Sequence, residues 1–157
     1  MQVKDIMTSD PTVVTRDETV KDVAGKMRAS DVGMLPVVLG YRDRELVGVI
    51  TDRDIVVRHV ASGHDHPCAV GIHMTAVDLQ VASPNEDVAL ALERMKRARV
   101  RRLPVVDEAH RVVGILAQAD LARDLGPADP ERIEELMEAV SEPQQVPVRL
   151  GKGVRVG

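Results

Sequence analysis

Apolar positions recur along this chain in the same order twice. Val20, Val23, Ala24 and Met27 stand at i, i+3, i+4 and i+7, the spacing of a helix with one apolar face. Val88, Leu92 and Met95 repeat that spacing further on. Two β-rich runs follow the first predicted helix, Leu35 to Leu39 and Leu46 to Ile50. The polar stretch Gly40-Tyr-Arg-Asp-Arg-Glu45 joins them as a hairpin with a longer loop. The matching pair is Leu103 to Val106 and Val112 to Leu116. A short strand is expected around Thr12-Val-Val14 before the first helix and around Leu79-Gln-Val81 before the second. A further helix starts after Thr51 and after Ala117. The unit is βαββα, taken twice.

The repetition extends to the letters. Val32-Gly-Met-Leu-Pro-Val-Val-Leu39 answers Val100-Arg-Arg-Leu-Pro-Val-Val-Asp107, and Met7-Thr8 answers Met74-Thr75. Pro36 to Pro104 is a shift of 68, whereas Gly48 to Gly114 and Asp54 to Asp120 are shifts of 66; the difference of two falls in the polar turn. An internal duplication of this kind predicts a mixed α/β (α+β) fold of two repeats related by a pseudo-twofold axis. A βαββα unit alone leaves one sheet face bare. The sheets are therefore expected to pack face to face through residues such as Val37, Ile50, Val105 and Ile115, with neither repeat stable by itself. The boundaries read as 1–66 and 67–125, with a C-terminal helix and tail over 126–157. In that last part Asp129 is an N-cap, Pro130 suits the first helical position, and Ile133, Leu136, Met137 and Val140 form a stripe. Pro143 is expected to end the helix, and Gln144 to Gly157 reads as a tail or edge extension.

Composition narrows the function. With no Trp, no Phe and Tyr41 alone, the core must be aliphatic. A net charge of −4 and the lack of aromatic platforms argue against nucleic-acid binding. No apolar run suggests a leader or a membrane span, so a cytoplasmic protein is expected. Cys68 is the sole cysteine, which excludes an intrachain disulfide. No phosphate loop of the P-loop type, no G-x-S-x-G and no facing carboxylate pair occur, so catalysis is not expected.

Leu-Pro-Val-Val, a turn, then Gly-Val-Ile-Thr-x-x-Asp resembles the CBS domain. The tandem pair, or Bateman module, would cover about residues 1 to 125, and the layout is similar to small stand-alone bacterial CBS-pair proteins of the hypoxic-response type. The resemblance implies a regulatory module that binds an adenosyl ligand (AMP, ADP, ATP, S-adenosylmethionine) in clefts between the repeats, in the manner of energy sensing. It also implies a homodimer and an unknown regulated protein acted on in trans. Carried over residue by residue, the first cleft would use Val49, Thr51 and Asp54, faced by Met74, Gln80, Val100, Arg101 and Arg102. The second would use Ile115 and Asp120, faced by Thr12, Val32, Gly33 and Met34. There Ala117 replaces the expected hydroxyl, and Gly33 and Met34 replace two arginines, so the first cleft is expected to dominate.

The side chains support more than one reading. A carboxylate at Asp54 can accept both ribose hydroxyls, and arginine forks pair phosphate oxygens. Yet Thr51-x-x-Asp54 is equally a capping box, and Arg97 and Arg99 suit a solvated helix end. His59, His64, His66, Cys68 and His73 crowd into fifteen residues, in which imidazole and thiolate suit zinc. Their spacing matches no standard zinc module, so a metal is not expected; His64, His66 and Cys68 are the candidate donors. Cys68 reads as inert. The alternatives to a nucleotide sensor are a ligand-free interaction adaptor or a zinc-responsive module. For dimerisation, the faces around Val20, Val23 and Met27 and around Leu92 and Met95 are the expected contacts, with the C-terminal helix as a further one.

Overall fold

The structure, a computed structural model, describes residues 1–142; the expected tail from Gln144 lies outside them. In chain order, α1 (Val3–Ile6) and β1 (Thr8–Ser9) precede β2 (Val14–Thr15), α2 (Val20–Ser30), β3 (Met34–Val38) and β4 (Leu46–Thr51). A one-turn helix, α3 (Asp52–Asp54), then runs straight into a π-helical segment, Ile55–Val60. The second half holds α4 (Val70–His73), α5 (Val88–Ala98), β5 (Arg102–Val106), β6 (Val112–Ala117) and α6 (Gln118–Asp124), followed by α7 (Pro130–Ser141). No helix of the described residues is long and apolar enough to cross a membrane.

Each long helix is capped as its sequence dictates. The Thr19 side chain accepts from Asp22 N–H, the Asp87 side chain from Ala89 N–H, and the Asp129 side chain from Arg132 N–H with Pro130 beside it. The expected strand at Thr12-Val-Val14 begins two residues later, because Val13 turns into the core instead of pairing. Its counterpart near Leu79-Gln-Val81 is reduced to a single parallel bridge between Ala82 and Val105.

Two three-stranded sheets form, in the orders β2-β3-β4 and β1-β6-β5. The second sheet takes its edge from the other repeat: β1 pairs antiparallel with β6, Thr8 opposite Ile115. The exchange is mutual, since Thr75 bridges Val49 on β4. The cores are exchanged in the same way. Cys68 and Val70 pack with Val14, Val23, Leu35 and Ile50 in the first core. Val3 and Ile6 pack with Leu92, Met95, Leu103 and Leu116 in the second.

The residues that join the two halves are Val13, Val38, Leu46, Val106 and Val112. Val37, Ile50 and Val105 instead lie in the cores of the individual repeats, and Ile115 belongs to none of the three clusters. The side-chain period of 2 explains the difference. Val38 and Val106 point opposite to Val37 and Val105, so neighbours on one strand serve different layers.

Two expected dimer faces are spent inside the chain. Val20, Val23, Met27, Leu92 and Met95 are all buried against their own sheets. Helix α7 also covers its own chain: Leu136 and Val140 enter the second core, while Met137 stays largely exposed.

The exchange also accounts for the repeated glycine. A Cβ on Gly48 would lie 2.8 Å from Met74 Sδ and 2.9 Å from the Thr75 carbonyl oxygen. The thioether can swing away. The carbonyl cannot, because Val49 N–H donates to it at 2.9 Å and Thr75 N–H donates back to Val49 O at 2.9 Å. Gly48→Ala should therefore destabilise the fold by about 1–3 kcal/mol. A lowered urea midpoint with unchanged slope is the expected result, and a further Met74→Ala change should not restore it.

Candidate functional site

Strand β4 delivers Thr51 to the lip of a cleft between the repeats, where the chain enters α3. Thr51 Oγ1 accepts from Asp54 N–H at 3.1 Å, and Asp54 Oδ2 accepts from Thr51 N–H at 3.0 Å. The capping-box reading of this pair is correct, and it leaves Asp54 Oδ1 uncommitted to the backbone. That oxygen faces Arg58 Nη2 at 3.5 Å, one helical turn on.

The cleft has a volume of about 470 Å³, within the roughly 300–1,000 Å³ of small-molecule pockets. Val49, Thr51 and Asp54 line it from the first repeat, and Gln80, Val100, Arg101 and Arg102 from the second. Helix α5 ends at Arg99 in a left-handed conformation (φ 54°), which turns the chain so that residues 99–102 reach the cleft. Among the described residues Arg101 and Arg102 form no ion pair, so two exposed arginines without a carboxylate partner line the cleft that Asp54 also lines.

Three expected placements need correction. Gly33 and Met34, expected in the second cleft, line this first one, because hairpin register sets Met34 opposite Thr51. The same register sets Arg102 opposite Ala117, so Arg101 and Arg102 border both the cleft and a smaller groove at Ala117. Met74 is drawn out of the wall to pack over Gly48.

The groove at Ala117 is closed in by Gln118, Ala119, Ala122 and Met137 of α7; Thr12, Val32, Ile115 and Asp120 do not line it. Thr12 Oγ1 instead sits 3.3 Å from Ser30 Oγ, Val32 packs on the first core, and Ile115 pairs with Thr8. Asp120 is buried, accepting from Ala117 N–H at 2.8 Å with Arg123 at 3.4 Å.

Arg58, Asp52, Thr75 and Asp78 were not anticipated in the first cleft. Arg58 was legible as the i+4 partner of Asp54. Thr75 and Asp78 arrive only through the strand exchange, which no local pattern announces.

A second constellation adjoins the cleft. His59 on the π-helical segment, His64 and Cys68 on the following loop, and His73 on α4 each bring one donor atom within 4.8 Å of all the others. His59 Nδ1 lies 3.3 Å from His73 Nε2, and Cys68 Sγ lies 3.3 Å from His64 Nδ1. Donors tetrahedrally placed around zinc stand about 3.3–3.8 Å apart, given bonds of roughly 2.0–2.3 Å, so these two pairs already stand at that spacing and the donor types suit the ion, while the widest pairs would draw in by up to about 1 Å. His66 Nδ1 is 3.4 Å from Cys68 Sγ but outside the four-donor group. His59 and His73 thus replace His66 in the expected donor list. Cys68 is not isolated either: two imidazoles flank it at i−4 and i−2.

Burial pulls the His73 imidazole below its usual pKa, and the neighbouring His59, His64 and Arg58 push in the same direction. The neutral ring is the form that ligates metal.

Comparison with known proteins agrees with this geometry. The family model for the CBS domain matches residues 3–59 and 70–126. Hypoxic response protein 1 of Mycobacterium tuberculosis is 39% identical over 122 residues, covering 78% of this chain and 83% of that protein. A crystal structure of Hypoxic Response Protein I with two coordinated zinc ions superposes with a TM-score of 0.70 at 38% identity, over 80% of this chain and 99% of the other. The CBS domain pair of protein MJ0100 in complex with 5-methylthioadenosine and S-adenosyl-L-methionine gives a TM-score of 0.69 at 28% identity, over 81% and 97% of the two chains. CBSX2 in complex with AMP gives 0.66 at 28% identity, over 78% and 93%. With the duplicated sheets, the exchanged first strands and both repeats matched, this chain belongs to the CBS domain family and is a regulatory CBS pair.

Proposed function

We propose that this CBS pair senses an adenosyl nucleotide of the AMP, ADP or ATP class in the Thr51/Asp54 cleft and passes its occupancy to a partner protein in trans. The observation that carries the reading is Asp54, whose Oδ1 is bound to no backbone group and meets only Arg58 Nη2 at 3.5 Å, lining one cleft together with Arg101 and Arg102. A carboxylate for vicinal ribose hydroxyls and two guanidinium groups for phosphate are the polar groups such a ligand requires. Val49, Val100 and Pro104 supply apolar wall for the base. AMP and S-adenosyl-L-methionine in the neighbouring structures support the ligand class. A thermal-shift series with AMP, ADP, ATP and S-adenosylmethionine tests it. A ligand at 100 times its Kd should add about 2.7 kcal/mol, and no shift with any of the four would leave a ligand-free adaptor as the better account.

A second reading has its own observation. The His59, His64, Cys68 and His73 donors suit zinc, and the zinc-bearing neighbour supports a metal here. Bound there, zinc would tie the π-helical segment to α4 as a structural ion. A thiol kept for metal fits a reducing compartment, in keeping with a cytoplasmic location.

The dimer reading moves to a different surface. Val56, Val57 and Val60 on the π-helical segment and Ile72 on the adjoining α4 are 50–68% exposed, an apolar patch beside the metal donors. A second copy of the chain is the occupant proposed for it. Light scattering at micromolar concentration should report a dimer, and a Val57→Glu, Val60→Glu double change should give a folded monomer. A monomeric wild type would remove the dimer from the reading.

A further inference from the structure

The cleft and the four-donor cluster share one short piece of backbone. Asp54, Arg58 and His59 follow one another across the junction of α3 and the π-helical segment. Asp54 and Arg58 line the cleft, while His59 belongs to the donor set. Arg58 bridges the two. Its Nη1 donates to the His73 carbonyl oxygen at 2.8 Å and to Thr75 Oγ1 at 3.2 Å, and its Nη2 reaches Asp54 Oδ1 at 3.5 Å. His73 is a metal donor, Thr75 lines the cleft, and Asp54 is the proposed ribose acceptor. One guanidinium group therefore touches a donor residue of one site and two wall residues of the other.

We infer that metal binding and nucleotide binding are positively coupled through Arg58, so that zinc tightens the nucleotide and the nucleotide tightens zinc. The inference rests on both readings above and adds the link between them. Its direction follows from the order each ligand imposes. Zinc held by His59 and His73 fixes the π-helical segment against α4, and with it the carbonyl that anchors Arg58. A nucleotide then meets a guanidinium group already aimed into the cleft and loses less side-chain freedom on binding. Charge acts the same way: a divalent cation with one thiolate ligand leaves net positive charge beside a pocket for an anion. The π-helix itself is a suitable joint, since such segments are rare and are frequent at functional sites.

The coupling is measurable from both ends. Zinc-loaded protein, desalted to remove free zinc, and chelator-stripped protein are titrated with AMP by calorimetry. Zinc affinity is then measured by competition with a chromophoric chelator, with and without saturating AMP. The expected result is an AMP Kd at least about fivefold lower in the zinc-loaded protein, and a zinc Kd lowered by the same factor, because linkage is reciprocal. In Arg58→Gln protein both ligands should still bind, AMP more weakly, with the ratio falling to near one.

If both ligands bind the wild type and neither alters the other's Kd, the coupling is wrong while the two site readings stand. A ratio that persists in Arg58→Gln overturns Arg58 as the link. If AMP or zinc fails to bind at all, the corresponding site reading falls and this inference falls with it.

Discussion

Asp54→Ala protein should lose AMP binding by about 100-fold or more, while Asp120→Ala changes it less than about threefold. Each charge-assisted hydrogen bond from the Asp54 carboxylate to a ribose hydroxyl is worth roughly 1.5–3 kcal/mol, and two are lost together. Asp120 makes the matching backbone contact, accepting from Ala117 N–H, but it lies outside the lining of the groove at Ala117, and an alanine stands where the first cleft has the Thr51 hydroxyl. Asp54 also caps its helix, so the alanine change carries a folding cost of about 0.5–2 kcal/mol. Circular dichroism well below the melting point separates that cost from lost ribose contact. Asp54→Asn is the sharper variant, because the amide oxygen can still accept from Thr51 N–H while the charge is gone. Unchanged AMP binding in folded Asp54→Ala, or two equal sites by calorimetry, would overturn the assignment.

Stripping the metal should have the other large effect. At free zinc 1,000 times its Kd, binding to the folded state alone adds about 4.1 kcal/mol, which for a chain of this size raises the melting temperature by roughly 8–16 °C. One zinc per chain is the expected stoichiometry at the four-donor cluster. A His59→Ala, His64→Ala double change should remove both the ion and the temperature gain. His110→Ala, at an exposed turn outside the cluster, should leave both intact. A gain that survives the double change would place the metal elsewhere, and no bound zinc in the wild type would remove this second reading.

Much of the architecture was legible because the chain states it twice. The helix faces at Val20, Val23 and Met27 and at Val88, Leu92 and Met95 are period-3.6 patterns, and they form as read. The two hairpins follow from β-rich runs around a polar turn. The first cleft was legible as well, since Val49, Thr51, Asp54, Gln80 and the Arg101/Arg102 pair all reach it.

The placement of Gly33 and Met34 was not, because their cleft is decided by pairing register, a relation between strands that no single run contains. The four-donor grouping was legible only in part, with His64 and Cys68 among the candidate donors and His59 and His73 not, for a similar reason. Histidines at spacings set by a π-helical turn and a loop match no linear zinc pattern, and only the return of α4 beside that segment brings His73 to His59. The burial of the α2 and α5 faces within the chain was not legible either, because an amphipathic helix shows that it has an apolar side without showing who covers it.

The borrowed edge strand has a consequence for how the chain is made. Thr8 pairs with Ile115, so β1 has no partner until more than a hundred further residues have been synthesised. At translation rates of about 5–20 residues per second, that is a wait of roughly 5–20 s with Val3 and Ile6 uncovered. The first repeat is delayed too, because its own core is incomplete before Cys68 and Val70 emerge. The first core can close once those residues emerge, whereas the second must wait for β6. The nascent amino terminus is therefore the stretch most dependent on chaperone cover, and closing so distant a pairing should make the last step of folding slow.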